Sequence, residues 1–278
     1  MNFLPLTPPR QTPVRVLTIA GSDSGGGAGL QADMRTFALL GVHPLVAVTA
    51  VTVQNSLGVS GFHEIPVDVI AGQIEAVVTD IGVQAAKTGM LASSAIIETV
   101  ADRWRELGLA GTVPLVVDPV CASMHGDPLL HTSALDTLRR RLFPLASLVT
   151  PNLDEVRLLV GIDVVDGATQ RDAAKALHDL GPQWALVKGG HLRSAPNSPD
   201  LLYDGVEFRE FDAPRVDTGH DHGAGDTLAA AIACALAQGY STPDAVAFGK
   251  AWVTECLRAA YPLGAGHGPV SALFRLQA

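Results

Sequence analysis

A chain of 278 residues fits one large α/β domain, and 47% apolar against 17% charged residues is enough to bury a substantial core. A formal net charge of −9 with no basic stripe argues against a nucleic-acid surface, and no apolar run reaches the length of a signal peptide or a membrane span, so a cytoplasmic protein is expected. The three cysteines are odd in number and lie in no metal-ligand spacing; Cys234 and Cys256 sit in helix-like apolar patterns and read as reduced core residues.

Pro5, Pro8, Pro9 and Pro13 make residues 1–13 a loose tail, and 14–278 is read as a single domain. Residues 14–20 form a buried strand and 28–40 a helix ended by Gly41. A second strand spans 45–53, followed by a polar turn at 54–58 and a short piece at 59–65. A helix at 67–79, a short strand at 85–88 and a helix at 93–107 with a serine cap come next. Residues 114–118 make a buried strand, 119–128 a loop rich in Ser, Gly and Pro, and 133–142 a helix. The strand 147–150 breaks at Pro151, and Asn152 caps the helix behind it. A helix at 170–180, a strand at 184–188, a turn at Gly189-Gly190 and a mobile loop at 194–199 lead to a hairpin of 201–204 and 207–211 around Asp204-Gly205. Helices at 224–237 and 243–260 close the chain.

Alternating strands and helices, with strands that are buried rather than alternating in polarity, imply an α/β fold with a mostly parallel central sheet covered on both faces. Ligands of such sheets bind outside the carboxyl ends of the strands. The polar clusters Gly21-Ser22-Asp23, Gln54-Asn55, Asp118, Asn152 to Glu155 and Lys188-Gly189 each follow a strand, which points to one site built from many strand ends.

The most informative stretch is His222-Gly223-Ala224-Gly225-Asp226-Thr227, opening a helix of small residues. Unpaired N–H groups and the positive end of the helix dipole make an anion site there, and Asp226 is a carboxylate able to take a proton from a bound hydroxyl. An acidic residue in a first helical turn is also a common stabilising device, and the dipole should lower its pKa. His220 and His222 flank this cradle without a third ligand for a metal. The earlier cluster Gly21-Ser22-Asp23-Ser24-Gly25-Gly26-Gly27-Ala28-Gly29 also joins a strand to a helix. It misses a dinucleotide fingerprint, because the last glycine would have to stand at Leu30 and no acidic residue ends the second strand.

Gln54 carries a donor and an acceptor side by side, the complement of an aminopyrimidine edge, although a loop glutamine bonded to backbone is the commoner case. Met90 suits packing on a flat heterocycle or simply a core. Asp118 and Glu155, at two strand ends, can hold Mg²⁺; Glu155 can equally complete the cap of Asn152. Lys188, at the end of an apolar strand, is placed to meet a nucleotide phosphate.

Taken together, Ala20-Gly21-Ser22-Asp23 with the glycine cluster, Val53-Gln54-Asn55, Lys87-Thr88-Gly89-Met90, Val117-Asp118-Pro119-Val120, Gly126-Asp127-Pro128-Leu129-Leu130, Thr150-Pro151-Asn152-Leu153-Asp154-Glu155, Lys188-Gly189-Gly190-His191 and Gly266-His267-Gly268-Pro269-Val270 stand in one order. In that order the chain resembles the ribokinase-type superfamily and, within it, the hydroxymethylpyrimidine/phosphomethylpyrimidine kinases of thiamine synthesis. The resemblance implies a ribokinase-like fold with a small β-hairpin addition, ATP and Mg²⁺, a homodimer, and two successive phosphorylations of 4-amino-5-hydroxymethyl-2-methylpyrimidine. It implies that Gln54, Asp23 and the backbone near Gly21 and Ala28 hold the pyrimidine, with Met90 packed on it. Lys188, Asn152 and Thr150 then face ATP, Asp118 and Glu155 face the metal, Gly223, Ala224 and Gly225 form the anion hole, and Asp226 is the base. The chain departs from the pattern in three ways. Asp226 stands where close relatives commonly carry cysteine, Met124 and Gly219 stand where lysines are usual, and Asp221 adds a nearby negative charge. Fewer cations should weaken binding of the phosphorylated intermediate. A pyridoxine/pyridoxal kinase, a non-catalytic heterocycle or nucleotide binder and a nicotinamide oxidoreductase are the alternative readings.

Overall fold

The computed structural model describes residues 3–121, 129–130, 132–190, 192 and 197–277. Met124, the Gly126-Asp127-Pro128 motif, His191 and the first half of the loop expected at 194–199 lie outside the described residues; the end of that loop is pinned, with Asn197 bridging to Pro214.

The chain runs from β1 (Arg15–Ser22) through a glycine loop into α1 (Gly29–Leu39), then into a long hairpin of β2 (His43–Asn55) and β3 (Gly58–Glu64). There follow α2 (Val67–Asp80), β4 (Ala85–Thr88), α3 (Ser94–Glu106), β5 (Leu115–Val117) and α4 (Thr132–Thr137). Next come β6 (Leu148–Val149), α5 (Leu153–Val160), α6 (Gly167–His178), β7 (Ala185–Val187), β8 (Asp200–Tyr203) and β9 (Phe208–Phe211). Two helices, α7 (Ala224–Ala237) and α8 (Thr242–Arg258), close the order.

The nine strands of the described residues belong to one sheet in the order β3-β2-β1-β4-β5-β6-β7-β8-β9. β2, β1, β4, β5, β6 and β7 are mutually parallel, and the edges are antiparallel, β3 on one side and β8–β9 on the other. The chain builds outward from β1 to β2 and then returns to place β4 on the other side of β1. The strand order therefore reverses between β1 and β4, and the crevice at their carboxyl ends is where a ligand fits best.

Side-chain alternation sorts the buried strands between two cores. Leu17, Ile19, Ala86, Leu115, Val117, Val149, Ala185 and Val187 pack into the core beneath α2, α3, α5 and α6. Val16, Ala85, Val116, Leu148 and Leu186 pack into the core with Phe37 of α1 and with α7 and α8. α7 is buried from Thr227 to Leu236, as expected of a helix apolar on all sides. The same alternation sends Thr18 and Lys87 toward α1 and α7.

Several sequence expectations change. Gln54 and Asn55 extend β2 rather than beginning a turn, because β3 supplies their pairing. Ser93 is the residue before α3, but its hydroxyl donates to Glu64 at 2.6 Å instead of capping the helix. The helix expected over 133–142 widens into a π-helical turn at Leu138–Leu142 and a 3₁₀ turn at Phe143–Leu145. Pro144 has no N–H to offer residue 140, and the Phe143 N–H reaches back to the Leu138 carbonyl.

The expected loose tail is anchored. Leu4 is only 2% exposed within the second core, and Phe3 packs against both Trp252 and Phe274 under the Arg275 guanidinium. Leu4→Ala is expected to cost about 2–5 kcal/mol, the usual range for truncating a buried leucine. Urea unfolding checks this, since an undocked tail would leave the midpoint unchanged.

Candidate active site

The carboxyl ends of β1, β4, β5, β6 and β7 and the N-terminus of α7 open onto one cavity of about 1250 Å³. It is lined by Gly21, Asp23, Ala28, Gln54 and Met90 at the β1–β4 crevice, and by Asp118, Asn152, Glu155 and Lys188 further along the sheet. Gly223, Ala224, Gly225 and Asp226 line it between these two groups. Thr150 does not. It is fully buried, and its hydroxyl donates to Asp118 Oδ1 at 3.1 Å, so it steadies Asp118 from beneath instead of facing a ligand.

Two glycine loops interlock at the centre. Gly223 precedes α7 with φ +78°, and a Cβ there would collide with the Gly27 carbonyl. A Cβ on Gly27 would in turn collide with the ring of His222. Asp23 organises the first loop from within: its carboxylate accepts from the N–H groups of Gly25, Gly27 and Ala28 at 2.7, 2.9 and 2.9 Å. Its Oδ2 also lies 3.0 Å from His222 Nε2. Burial works to raise the Asp23 pKa, but His222 and these backbone donors hold it below the usual carboxylate value. The Asp23 carboxylate is therefore spent on its own loop rather than offered to a substrate. Gln54 points into the cavity where the β2–β3 register slips, and its amide nitrogen lies 3.4 Å from His222 Nε2. The Met90 sulfur would be 3.1 Å from a Cβ on Gly21, so methionine and glycine backbone form adjoining walls of the crevice.

At the start of α7 the amides behave less uniformly than the sequence suggests. The Ala224 N–H is used, donating to the Asp221 carbonyl at 3.0 Å. Among the described residues, the N–H groups of Gly223, Gly225 and Asp226 have no protein partner, and these are the free donors of the cradle. Gly225 also brings the two halves of the site together, since a Cβ there would be 3.3 Å from Lys188 Nζ and 3.4 Å from Asp118 Oδ2.

Lys188 does not project freely toward the cavity. Its ammonium donates to Asp118 Oδ1 at 2.9 Å, which leaves Asp118 Oδ2 as the unpaired oxygen. Burial works to lower the Lys188 pKa, yet Asp118 and Glu155 hold it above its ordinary value, so it stays charged. Glu155 takes the capping role: Asn152 accepts from the Glu155 N–H at 2.9 Å, and Glu155 Oε2 accepts from the Asn152 N–H at 2.8 Å. Its other oxygen accepts from the Cys121 N–H at 3.3 Å. Burial raises the Glu155 pKa, against the pull of Lys188. No group of three or more His, Cys, Asp or Glu able to hold a metal by itself occurs among the described residues.

The residues missed by sequence reasoning lie beneath Asp226. Lys87, fully buried in β4, donates to Asp226 Oδ1 at 2.7 Å and to both oxygens of Asp33 at 3.0 and 2.9 Å. A second buried lysine, Lys250 of α8, donates to Ser198 and to Asp200, whose other oxygen accepts from the Gly189 N–H. Arg215 donates to carbonyls of Gly190, Leu192 and Asn197. These contacts tether the segment after β7, where Lys188 sits.

A family model described as phosphomethylpyrimidine kinase matches residues 23–271. The chain belongs to the phosphomethylpyrimidine kinase family. It is 76% identical to the hydroxymethylpyrimidine/phosphomethylpyrimidine kinase of Mycobacterium tuberculosis, over 99% of this chain and 100% of that one. The pyridoxal kinase of Staphylococcus aureus, solved in complex with AMP-PCP and pyridoxal, superposes with a TM-score of 0.84 at 34% identity, covering 94% of this chain and 93% of that one. The phosphomethylpyrimidine kinase of Clostridium difficile superposes with a TM-score of 0.76 at 36% identity, covering 87% of this chain and 98% of that one. The ribokinase-like fold and kinase activity expected from the sequence follow from this membership.

Because the two glycine loops share one contact, Gly223→Ala is expected to lower kcat/KM by about 100-fold or more, as for other losses of transition-state donors. Steady-state kinetics, together with circular dichroism to check that the fold persists, would test this.

Proposed function

We propose that this kinase transfers the γ-phosphoryl group of ATP to 4-amino-5-hydroxymethyl-2-methylpyrimidine and then to its monophosphate, in thiamine biosynthesis. The observation that carries the reading is the position of Asp226: a carboxylate at the cavity edge, one residue after a free amide and opposite the Gln54–Met90 crevice. In that crevice Gln54 matches the ring-nitrogen and exocyclic-amine edge of the pyrimidine, and the adjoining Met90 side chain and Gly21 backbone pack against one side of its ring. The hydroxymethyl group then points toward Asp226.

As the hydroxyl oxygen bonds to phosphorus, its proton passes to Asp226, and the bond to the leaving ADP breaks. The free N–H groups of Gly223, Gly225 and Asp226 meet the charge that spreads over the transferred oxygens. Asn152 and Lys188 face the nucleotide side of the cavity, Lys188 as part of an ion pair.

The carboxylates present fit Mg²⁺ as it is usually held, by one or two carboxylates with phosphates and water completing the shell. Asp118 Oδ2 is free for that purpose, and Glu155, with both oxygens accepting backbone N–H groups, would act through water. The ion would supply charge neutralisation that this acidic site lacks.

Asp226→Asn should lower kcat by about 10²–10⁴-fold, the range for losing a general base, while calorimetric binding of the pyrimidine is retained. Lys87 stays paired with Asp33 in that variant, so the fold is expected to hold. Undiminished ADP production would refute the role of Asp226. Pyridoxal is the second reading, favoured by the likeness to a pyridoxal kinase; a higher kcat/KM for pyridoxal in the same assay would install it instead.

Protein of this kind is proposed to act in the cytoplasm as a homodimer. All three cysteines are buried free thiols, and no described helix is long and apolar enough to cross a membrane. Val51 and Val53 on β2 and Leu57 at the hairpin tip expose apolar side chains on the β2–β3 arm, a suitable dimer surface. Val51→Lys with Val53→Lys should shift the sedimentation coefficient from dimer to monomer.

A further inference from the structure

We propose that Lys87, gripped by Asp33, is the positioning residue that fixes the Asp226 carboxylate as acceptor of the substrate proton. The inference rests on the reading of Asp226 as the base and adds two residues that touch neither substrate nor nucleotide.

The geometry leaves the ammonium no freedom. Lys87 Nζ makes three contacts, two to Asp33 and one to Asp226 Oδ1, which matches its three hydrogens. Asp33 is itself held by the Thr18 hydroxyl at 2.6 Å. Asp226 Oδ2 accepts from the Gly29 N–H at 3.1 Å. The carboxylate is thus pinned at one oxygen from β4 and at the other from the start of α1. Gly89 leaves the pair uncovered, since a Cβ there would stand 3.0 Å from Lys87 Nζ and 3.6 Å from Asp226 Oδ1.

The triad is also lopsided. Asp33 and Lys87 are fully buried, whereas the Asp226 side chain is 14% exposed, on the cavity side. A purely structural ion pair has no need of that opening. With both carboxylates ionised, the triad carries a net charge of −1 in a dry site, and a proton arriving at Asp226 neutralises it. In the transfer step the O–H bond of the alcohol breaks as the O–P bond forms. The proton goes to Asp226, and the electron pair of the broken P–O bond leaves with ADP.

The charged and titratable groups around Asp226 are Lys87 from β4, Asp33 from α1, His222 before α7, and Lys188 and Asp118 across the cleft; Cys234 of α7 faces Asp33. Burial works to raise the Asp226 pKa, and Lys87 followed by Gly29 and His222 more than reverses this, holding it below the ordinary carboxylate value. Removing Lys87 leaves burial dominant, so Asp226 stays protonated to higher pH.

Lys87→Met is expected to lower kcat by about 100-fold or more, as for a disabled general base, with both KM values within about threefold of the parent. The acid limb of its kcat–pH profile should move to higher pH. Because Lys87→Met strands Asp33 as a buried charge, the Lys87→Met/Asp33→Asn pair serves as the folded control, checked by thermal melting. It should remain slow although stable. In an Asp226→Asn background, Lys87→Met should cost little further rate, since the two act as one unit. Full kcat in the stable double variant, an unmoved acid limb with raised KM, or an independent multiplicative loss in the Asp226→Asn background would each overturn the proposal. Undiminished turnover by Asp226→Asn alone would instead overturn the base assignment on which it rests.

Discussion

An ammonium between two carboxylates, sealed from water, is the interaction around which the site is arranged. Lys87 belongs to β4, Asp33 to α1 and Asp226 to α7, so three elements that are distant in sequence meet at one charge. Such a cluster is a poor source of stability, because stripping water from three ions costs several kcal/mol each before their attraction is counted. Burial, outweighing the attraction of Lys87, lifts Asp33 to about 7. Asp33 therefore binds its proton more tightly in the folded than in the unfolded chain, and it favours folding below about pH 4, an advantage lost as the pH rises toward 7. Asp226 has the opposite sign: its pKa is lowered, so its contribution is present above the ordinary carboxylate value and lost on acidification. A pairing that disfavours one carboxylate in order to keep the other charged makes sense where the second has work to do.

The same economy governs the rest of the cavity. Lys188 is matched to Asp118 and Lys250 to Asp200, as Lys87 is to Asp33 and Asp226. Arg215 spends its guanidinium on carbonyls. The lysines lining the cavity thus arrive already neutralised, in a chain with a net charge of −9. Between the two halves of the cavity, an anion meets the unpaired amides at the head of α7, whose donors are fixed in direction and need no reorganisation. A divalent cation on Asp118 complements them, since it adds charge without adding a flexible side chain.

How much of this could be read in advance depends on distance along the chain. The buried parallel strands were legible because their apolar runs are local, and β4 and α7 begin and end where the sequence places them. The ends of β2 were not, since Gln54 and Asn55 are strand only through pairing with β3. Asn152 as a helix cap was legible, and so was its competition with a metal role for Glu155, which the structure resolves toward capping. Asp23 and Thr150 were visible as polar residues at strand ends, but nothing local shows that one folds back on its own loop and the other sits beneath Asp118. Lys87 is the instructive omission. The reasoning that singled out Lys188, a cation closing an apolar strand, applies equally to it, and Asp33 interrupts the buried face of α1 between Leu30 and Phe37. Their partners lie 54 and 139 positions apart, beyond the reach of any pattern.

The first glycine loop ties reading of the substrate to readiness of the base. Asp23 collects the amides of Gly25, Gly27 and Ala28 and meets His222, which in turn lies beside Gln54. At the next residue after Ala28, the Gly29 N–H holds Asp226 Oδ2. The loop carbonyl at Gly27 also occupies the space that only a glycine at 223 leaves free. A shift of this loop would therefore move the pyrimidine-facing amide, the opening of α7 and the carboxylate together. Recognition and chemistry share one short piece of backbone, and this is why small residues had to be kept on both sides of the contact.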